Sequence, residues 1–448
     1  MLSVLPFKGL LYNPDKVKDL SRVVAPPYDV ISEEERNFLC KRDPYNVVRL
    51  ILSRDDSNSG KDRYQKAEET FNEWVNRGIL IRDKAPAIYA YQQTYTLNNE
   101  TSTRNGFIAL MRLEEFGAGG AIYPHEKTLA KPKADRLRLI EACGAHFSCV
   151  FSLYQDPADE IDRTLLEGRK DKPIIEINDD KGINNRLWRV NDPDVLEKME
   201  RRMSSKSLLI ADGHHRYETA LRYRDIMRGI YPDYTGDEAF NFVMMYFSNM
   251  DGEGFSVLPT HRLIHSIEGF DPVAFLSDSA EFFDIEDIKF NDESEPAKRK
   301  VLIERLKEKK ETPAFGLYLK GENVYRLLTL KDIGIMDKWV NNGISPESKT
   351  LDLTVLHTLV LKGIMGVDEG RQERQENIDY FKDTDKAIEA VKEGKHRMAF
   401  ILSPPEITKI KAISMAGEKM PQKSTFFYPK LLTGLVINPV ISDERPSF

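Results

Sequence analysis

The sequence is short of cysteine, of long apolar runs and of surplus positive charge, and each shortage removes a class of function. Only Cys40, Cys143 and Cys149 occur in 448 residues. They lack the C-x-x-C spacing of a zinc or redox pair, and an odd, sparse set does not make a disulfide framework. No stretch approaches the ~18 uninterrupted apolar residues that a membrane span needs. The opening "MLSVLPFKGLLYNPDKVKD" has no basic segment ahead of a long apolar one, so it does not read as a signal peptide. Net charge is −7 and the pI about 5.8, whereas a nucleic-acid binder normally clusters Lys and Arg on one face with a pI above ~9. The expectation is a soluble cytoplasmic protein with no nucleic-acid or membrane partner; oligomeric state stays open.

What is present suits an α/β chain. With 41% hydrophobic residues, it has core enough for two or three units of roughly 100–200 residues each. "YQKAEETFNEWVNRGIL" spaces Ala67, Phe71, Trp74 and Val75 as a helix stripe that stops at Gly78. "AIYAYQQTYTL" and "NGFIALMRL" flank the polar "NNETSTR" and read as a hairpin. "SCVFSLYQD", "IIEIND" and "FNFVMMYFSNMD" read as strands. Pro193 behind a capping Asp192 opens a helix with Val195, Leu196 and Met199 on its stripe. Beyond Gly269 the texture shifts. "AKRKVLIERLKEKKE" predicts a charged amphipathic helix, "AFGLYLKGENVYRLLTL" a hairpin turning at Gly321, and "LTVLHTLVLKGIMG" a helix with a glycine stop. The division predicted is an α/β part over 1–268 and a smaller α+β part over 269–448.

The chemistry concentrates in "SLLIADGHHRYETALRYRDIM", residues 207–227. A buried strand at 207–211 ends in Asp-Gly-His-His-Arg, and a helix follows from about Arg216. Gly213 can adopt positive φ or let backbone approach a ligand. The helix start offers free N–H groups to an anion, and the planar fork of Arg216 matches phosphate or carboxylate. His214 and His215 can donate hydrogen bonds or carry a proton near neutral pH, and Asp212 fits a helix cap or a metal-bound carboxylate. Together these read as an anion cradle. The plainer account has Asp212 capping the helix, one histidine packed, and Arg216 paired with Glu218 or another carboxylate.

"IADGHHRYETALRYR" resembles the shared signature of the ParB/sulfiredoxin superfamily over about Trp188 to Asp251, and most nearly the free serine kinases, whose DGHHR turn holds nucleotide phosphates. The GERR box of the chromosome-partitioning members is absent, and His214 stands in the part of the turn where sulfiredoxin has its catalytic cysteine. On "VVAPPYDVI", "YPHEKTL", "ADGHHRYETA" and "LPTHRL" the whole chain resembles a bacterial and archaeal family known only as domain of unknown function 1015. The resemblance implies a ParB/sulfiredoxin-like nucleotide-binding core with an N-terminal extension. It further implies a phosphotransferase that uses ADP or ATP with Mg²⁺ and acts on a small hydroxylated metabolite, serine or phosphoserine, in either direction. Gly213, His214, His215 and Arg216 would hold phosphates. A nucleotide-binding regulator is the alternative, though a switch of that kind normally comes with a DNA reader or dimerising tail.

Four further stretches stand out. "YPHEKTLAKPKADRLRLIEA" supplies His125 and Glu126 in a loop, then Lys127, Lys131, Lys133 and Arg136, an acid, a base and cations of the sort that phosphoryl transfer uses. Asp212, Glu126 and His125 are thus the catalytic candidates. In "VVAPPYDVIS" two prolines stiffen the chain ahead of Tyr28 and Asp29, which with Arg136 are expected to contact substrate or metal; the metal ligands themselves are not assigned. "THRLIH" places His261 and His265 four apart, one face of a helix, as structural histidines. "MPQKSTFFYPK" offers Lys423, Ser424 and Thr425 but no glycines for a phosphate loop.

Overall fold

A computed structural model describes the chain apart from residues 56–59, 118–119, 170–171, 253, 310, 341–342, 375, 442–443 and 447–448. It divides into two compact units. The first comprises Met1–Pro124, Thr128–Ser256 and Pro429–Phe448; the second comprises His125–Lys127 and Val257–Tyr428. Among the described residues no helix is long and apolar enough to cross a membrane.

The first unit is built on a nine-stranded mixed sheet. Its strands are β1 (Val4–Leu5), β2 (Ile88–Leu97), β3 (Glu100–Arg112), β4 (Ile122–Pro124), β5 (Val150–Tyr154), β6 (Ile175–Asn178), β7 (Asn184–Val190), β8 (Leu208–Asp212) and β9 (Phe242–Asn249). They lie in the order β4-β8-β5-β9-β3-β2-β7-β6, with β1 beside β3. β8 runs parallel to β4 and antiparallel to β5, and β9 runs parallel to β5. Every residue of β9 is buried, as an apolar strand covered on both faces must be. The β2–β3 hairpin is longer than its sequence predicts. Asn98 and Asn99, both at positive φ, make the whole turn, and the Thr and Ser residues of "NNETSTR" are strand. Two left-handed residues match the twist of a tight hairpin, so the polar stretch needs no loop.

Helices α1 (Arg63–Asn76), α2 (Ala130–Cys143), α3 (Pro193–Ser204) and α4 (His214–Ile230) belong to this unit. Asp62 caps α1 reciprocally with Gln65, and Tyr64, Ala67, Phe71 and Trp74 pack with Leu139 of α2. Val75, placed on the stripe by spacing, is exposed instead; the buried arc ends at Trp74. α3 starts as its sequence dictates, with Asp192 accepting from the N–H groups of Asp194 and Val195. Its Val195, Leu196, Met199 and Met203 join Tyr217 and Leu221 of α4 against Leu208, Ile210 and Met245 of the sheet. The C-terminal segment also belongs here. Arg104 donates to the Pro429 carbonyl at 2.6 Å and Gln93 to that of Lys430 at 3.1 Å.

The second unit carries a six-stranded sheet in which each pair is antiparallel. Its strands are β10 (His261–Ile264), β11 (Phe283–Lys289), β12 (Ala314–Leu319), β13 (Val324–Leu330), β14 (Ile378–Phe381) and β15 (Met398–Ile401), in the order β11-β13-β12-β15-β10-β14. The β12–β13 hairpin turns at Gly321, φ 82°. The charged helix predicted near 297–311 is α5 (Glu295–Glu308); Lys310 in that stretch lies outside the described residues. Two readings are corrected. "THRLIH" is strand β10, so His261 and His265 share no helix face; β10 is paired on both sides and completely buried. "LTVLHTLVLKGIMG" is one α-turn (Asp352–Val355) that continues as a π-helix (Leu356–Ile364) before Gly366.

Candidate functional site

Strand β8 is buried through Ala211 and its register against β5 shifts between Ile210 and Asp212. Such an irregularity re-aims the side chain that follows it, here Asp212. Gly213 then takes φ 88° and caps α4, so the helix begins at His214, two residues earlier than the sequence predicts. A Cβ on Gly213 would stand 2.9 Å from the guanidinium of Arg216. Glycine is required twice over, for its φ and because Arg216 folds back across it.

Arg216 does not pair with Glu218. It donates to Asp212 Oδ2 at 2.6 Å and to the Cys149 carbonyl. Asp212 Oδ1 accepts from Lys430 Nζ. The three side chains are only 16%, 12% and 13% exposed for Asp212, Arg216 and Lys430. Burial by itself would raise the Asp212 carboxyl; Lys430 and Arg216, with a further contribution from His214, hold it well below the usual carboxylate range. Lys430, the second cation on Asp212, was not singled out from sequence, and it is supplied from 218 positions away.

His214 is buried. His215 Nε2 accepts from the Leu129 N–H at 2.9 Å, which places its proton, when neutral, on Nδ1. Glu218, one turn on, accepts from Thr128 Oγ1 and Lys133 Nζ, each at 2.7 Å. Lys133 is thereby spent on Glu218. Cys149 is inert, its thiol pushed up to about 12 by burial against the opposing pull of Arg216.

Tyr28, Arg136 and Arg216 line one small cavity of about 50 Å³. Arg136 stacks over the Tyr28 ring at 4.2 Å and donates to the Ile51 carbonyl at 3.0 Å. Burial and then Asp29 push the Tyr28 hydroxyl up to about 12, against Arg136 and Arg216, so it is a hydrogen-bond donor at neutral pH. Asp29 itself is exposed. Drug-sized ligands occupy roughly 300–1,000 Å³, so this cavity has room for a water or a small group.

In the second unit His125 is buried, with Nε2 2.9 Å from Thr425 Oγ1 and its ring edge on Phe427. Glu126 Oε1 accepts from the Ser424 N–H at 3.2 Å, and the His125 carbonyl from Met420 N–H at 2.8 Å. Two stretches that the sequence singled out separately, "YPHEK" and "MPQKST", therefore form one structural piece. Nearby, Arg262 is completely buried; it donates to Gln422 O at 3.0 Å, to Thr260 O and to His357 Nε2 at 3.3 Å.

Mg²⁺ is held by one or two carboxylates together with phosphate oxygens and water. Among the described residues no group of three or more His, Cys, Asp or Glu could hold a metal, and Asp212 already faces two cations. The residues at the turn do not fit a protein-held Mg²⁺.

A family model described as "Protein of unknown function (DUF1015)" matches residues 4–357. No curated protein matches. Among solved structures, free serine kinase in complex with AMP is similar at 12% identity and TM-score 0.32, covering 68% of this chain and 83% of that one. A glutamate-to-alanine variant of free serine kinase in complex with ADP gives the same identity and TM-score. A "conserved hypothetical protein" from Pyrococcus furiosus is 14% identical, TM-score 0.31, covering 69% and 89%.

Proposed function

The chain belongs to the DUF1015 family, and from that premise we propose that it is a nucleotide-dependent phosphotransferase with a ParB/sulfiredoxin-like core. Its phosphate site is the Asp212–Arg216 turn completed by Lys430, and its substrate is serine or phosphoserine. The observation that carries the reading is the buried trio in which one carboxylate fixes two cations beside a helix start. The trio keeps a net positive charge, and it is oriented before any ligand arrives. Preorganised charge of this kind acts on the phosphoryl group as its charge redistributes in the transition state. The first N–H groups of α4 add to it.

Asp212 is a poor proton acceptor, because two cations favour its ionised form; its role is to position Arg216 and Lys430. The hydroxyl proton of serine passes to water as the serine oxygen forms its bond to the terminal phosphorus of ATP or ADP. The bond between that phosphorus and the bridging oxygen breaks, and the electron pair leaves with ADP or AMP. In reverse, phosphoserine and AMP yield serine and ADP. His214 and His215 donate to phosphate oxygens, and Tyr28 and Arg136 bound the acceptor side.

The test is phosphorus NMR on purified protein with serine or phosphoserine and each adenine nucleotide in turn. Wild type should move phosphate in at least one pairing, and Arg216→Lys, which keeps the charge but loses the fork, should slow it by ~10²–10³ as for other lost oriented donors. No transfer in any pairing ends the serine assignment. Transfer at full rate in Arg216→Lys puts the reaction elsewhere. Saturable nucleotide binding without transfer favours the regulatory alternative.

A further inference from the structure

The first unit holds a second, larger concavity of about 730 Å³. Arg36, Arg54, Arg63, Lys131, Arg136 and Arg138 line it, against two carboxylates, Glu33 and Asp135. The chain as a whole carries −7, so this concentration of positive charge is not an overflow from a basic composition.

The carboxylates nearby are outnumbered. Glu33 takes Arg54 at 2.5 Å, while Asp135 is shared by Arg63 and Arg136. Arg138 reaches Asp62 Oδ2 at 2.6 Å, and the other oxygen of Asp62 caps α1. Arg36 is held by neutral acceptors, Leu52 O at 2.6 Å and Asn37 Oδ1 at 3.3 Å. Burial lowers its pKa, with Arg54 and Arg49 adding to this against Cys40 and Glu33. Like charges this close repel unless something negative lies between them.

Stacking keeps the guanidinium groups in place. Arg136 lies over Tyr28, and Arg138 and Arg63 lie over Tyr64 at 4.3 and 5.0 Å. A planar fork fixed on a ring is oriented for bidentate phosphate binding. The first turn of α2, through Lys131, Pro132 and Ala134, forms part of the wall, so the positive end of that helix adds its field. The volume falls in the range of small-molecule clefts, roughly 300–1,000 Å³, and several cations over that span match a chain of phosphates better than a single one.

We propose that this cleft binds a small molecule bearing consecutive phosphates, either inorganic polyphosphate or the tail of a nucleoside polyphosphate. The cleft shares Tyr28 and Arg136 with the proposed acceptor side but contains neither Asp212, Arg216 nor Lys430.

Calorimetric titration of the full chain with tripolyphosphate, ATP, AMP and citrate tests it. Tripolyphosphate and ATP should bind saturably, at least about tenfold tighter than AMP and citrate, with affinity falling as salt rises. ATP binding well above tripolyphosphate identifies a nucleotide as the source; equal affinity identifies free polyphosphate. Arg36→Gln should weaken tripolyphosphate by about tenfold, the usual worth of one charge-assisted contact. Because Arg36 also holds the Leu52 carbonyl, the exposed Lys131→Gln is measured beside it and should weaken binding severalfold with an unchanged unfolding midpoint. The proposal is overturned if tripolyphosphate and ATP show no saturable binding. It is equally overturned if both cleft variants bind as wild type, or if only Arg216→Lys abolishes binding.

Discussion

Arg216 in the first unit and Arg262 in the second are both largely buried guanidiniums, and they are stabilised by opposite means. In the first, Arg216 shares one carboxylate with Lys430. In the second, Arg262 is surrounded by acceptors without formal charge (two carbonyls and a histidine nitrogen) and by the Tyr380 ring at 5.0 Å. Burial pulls Arg262 down to about 10, with Tyr380 and Glu126 opposing. The neighbour bears the consequence. Burial first and Arg262 second press His357 down to about 3, despite its hydrogen bond to Gln372. Where a carboxylate is supplied, cations accumulate; where it is not, the histidine beside the cation is forced to stay neutral.

The sharpest way to break this contrast is Asp212→Asn, which leaves Arg216 and Lys430 buried without their anion. Removing one member of a buried ion pair costs ~3–5 kcal/mol, and urea unfolding at pH 7 should show a loss of that order. The double change Asp212→Asn with Lys430→Met should recover part of it. Because the Asp212 carboxyl is lowered in the folded state, its contribution is present above the unfolded carboxylate pKa of ~3.9 and is lost as pH falls below it. The gap between wild type and Asp212→Asn should therefore close in acid.

Gly213→Ala should cost about 2–3 kcal/mol in the same assay. It combines a left-handed conformation, ~1–2 kcal/mol for an L residue, with displacement of Arg216. A loss no larger than the conformational part would mean that Arg216 moves aside freely.

The second unit is probed by His357→Gln across pH. A histidine whose folded pKa is lowered contributes stability that is complete above its unfolded value of ~6.5 and drains away as pH falls from there towards about 3. Between pH 6.5 and 5 wild type should lose roughly 1.5–2 kcal/mol more than His357→Gln. Parallel pH profiles would show that Arg262 and burial do not hold His357 neutral.

The smallest effect serves as the control. Arg305→Gln removes an ion pair with Glu286 in which both side chains are 46% exposed, and the unfolding free energy should change by no more than ~0.5 kcal/mol. A larger change would undo the argument that burial, rather than charge pairing, distinguishes Asp212.

The strand, the glycine and the helix at 208–230 were legible in sequence because their causes are local: an aliphatic run, a residue tolerant of positive φ, and a polar–apolar period. A carboxylate partner for Arg216 was legible too, but which one was not. Glu218 stands two residues away in the chain, but the fold turns Arg216 back over Gly213 to Asp212 and Cys149. Lys430 was invisible because no local pattern connects residues 212 and 430. "THRLIH" failed for the converse reason. A spacing of four between histidines fits a helix face, but His261–Ile264 is edged by strands on both sides, and that pairing overrides the spacing. His125 and Glu126 were found as a polar pair in a loop; their tie to Ser424 and Thr425 crosses some three hundred positions.

The return of Pro429–Phe448 to the first unit has a consequence during synthesis. A chain emerging from the ribosome exposes Asp212, Gly213 and Arg216 long before Lys430 has been translated. Until then the turn lacks the second cation on its carboxylate, and Arg104 and Gln93 lack the carbonyls of Pro429 and Lys430. Nascent or prematurely terminated chains thus present a charge-balanced Asp212–Arg216 pair with little pull on an anion. The surplus positive charge arrives only with Lys430, so the turn changes from charge-balanced to cationic when the segment from Pro429 onward joins the first unit.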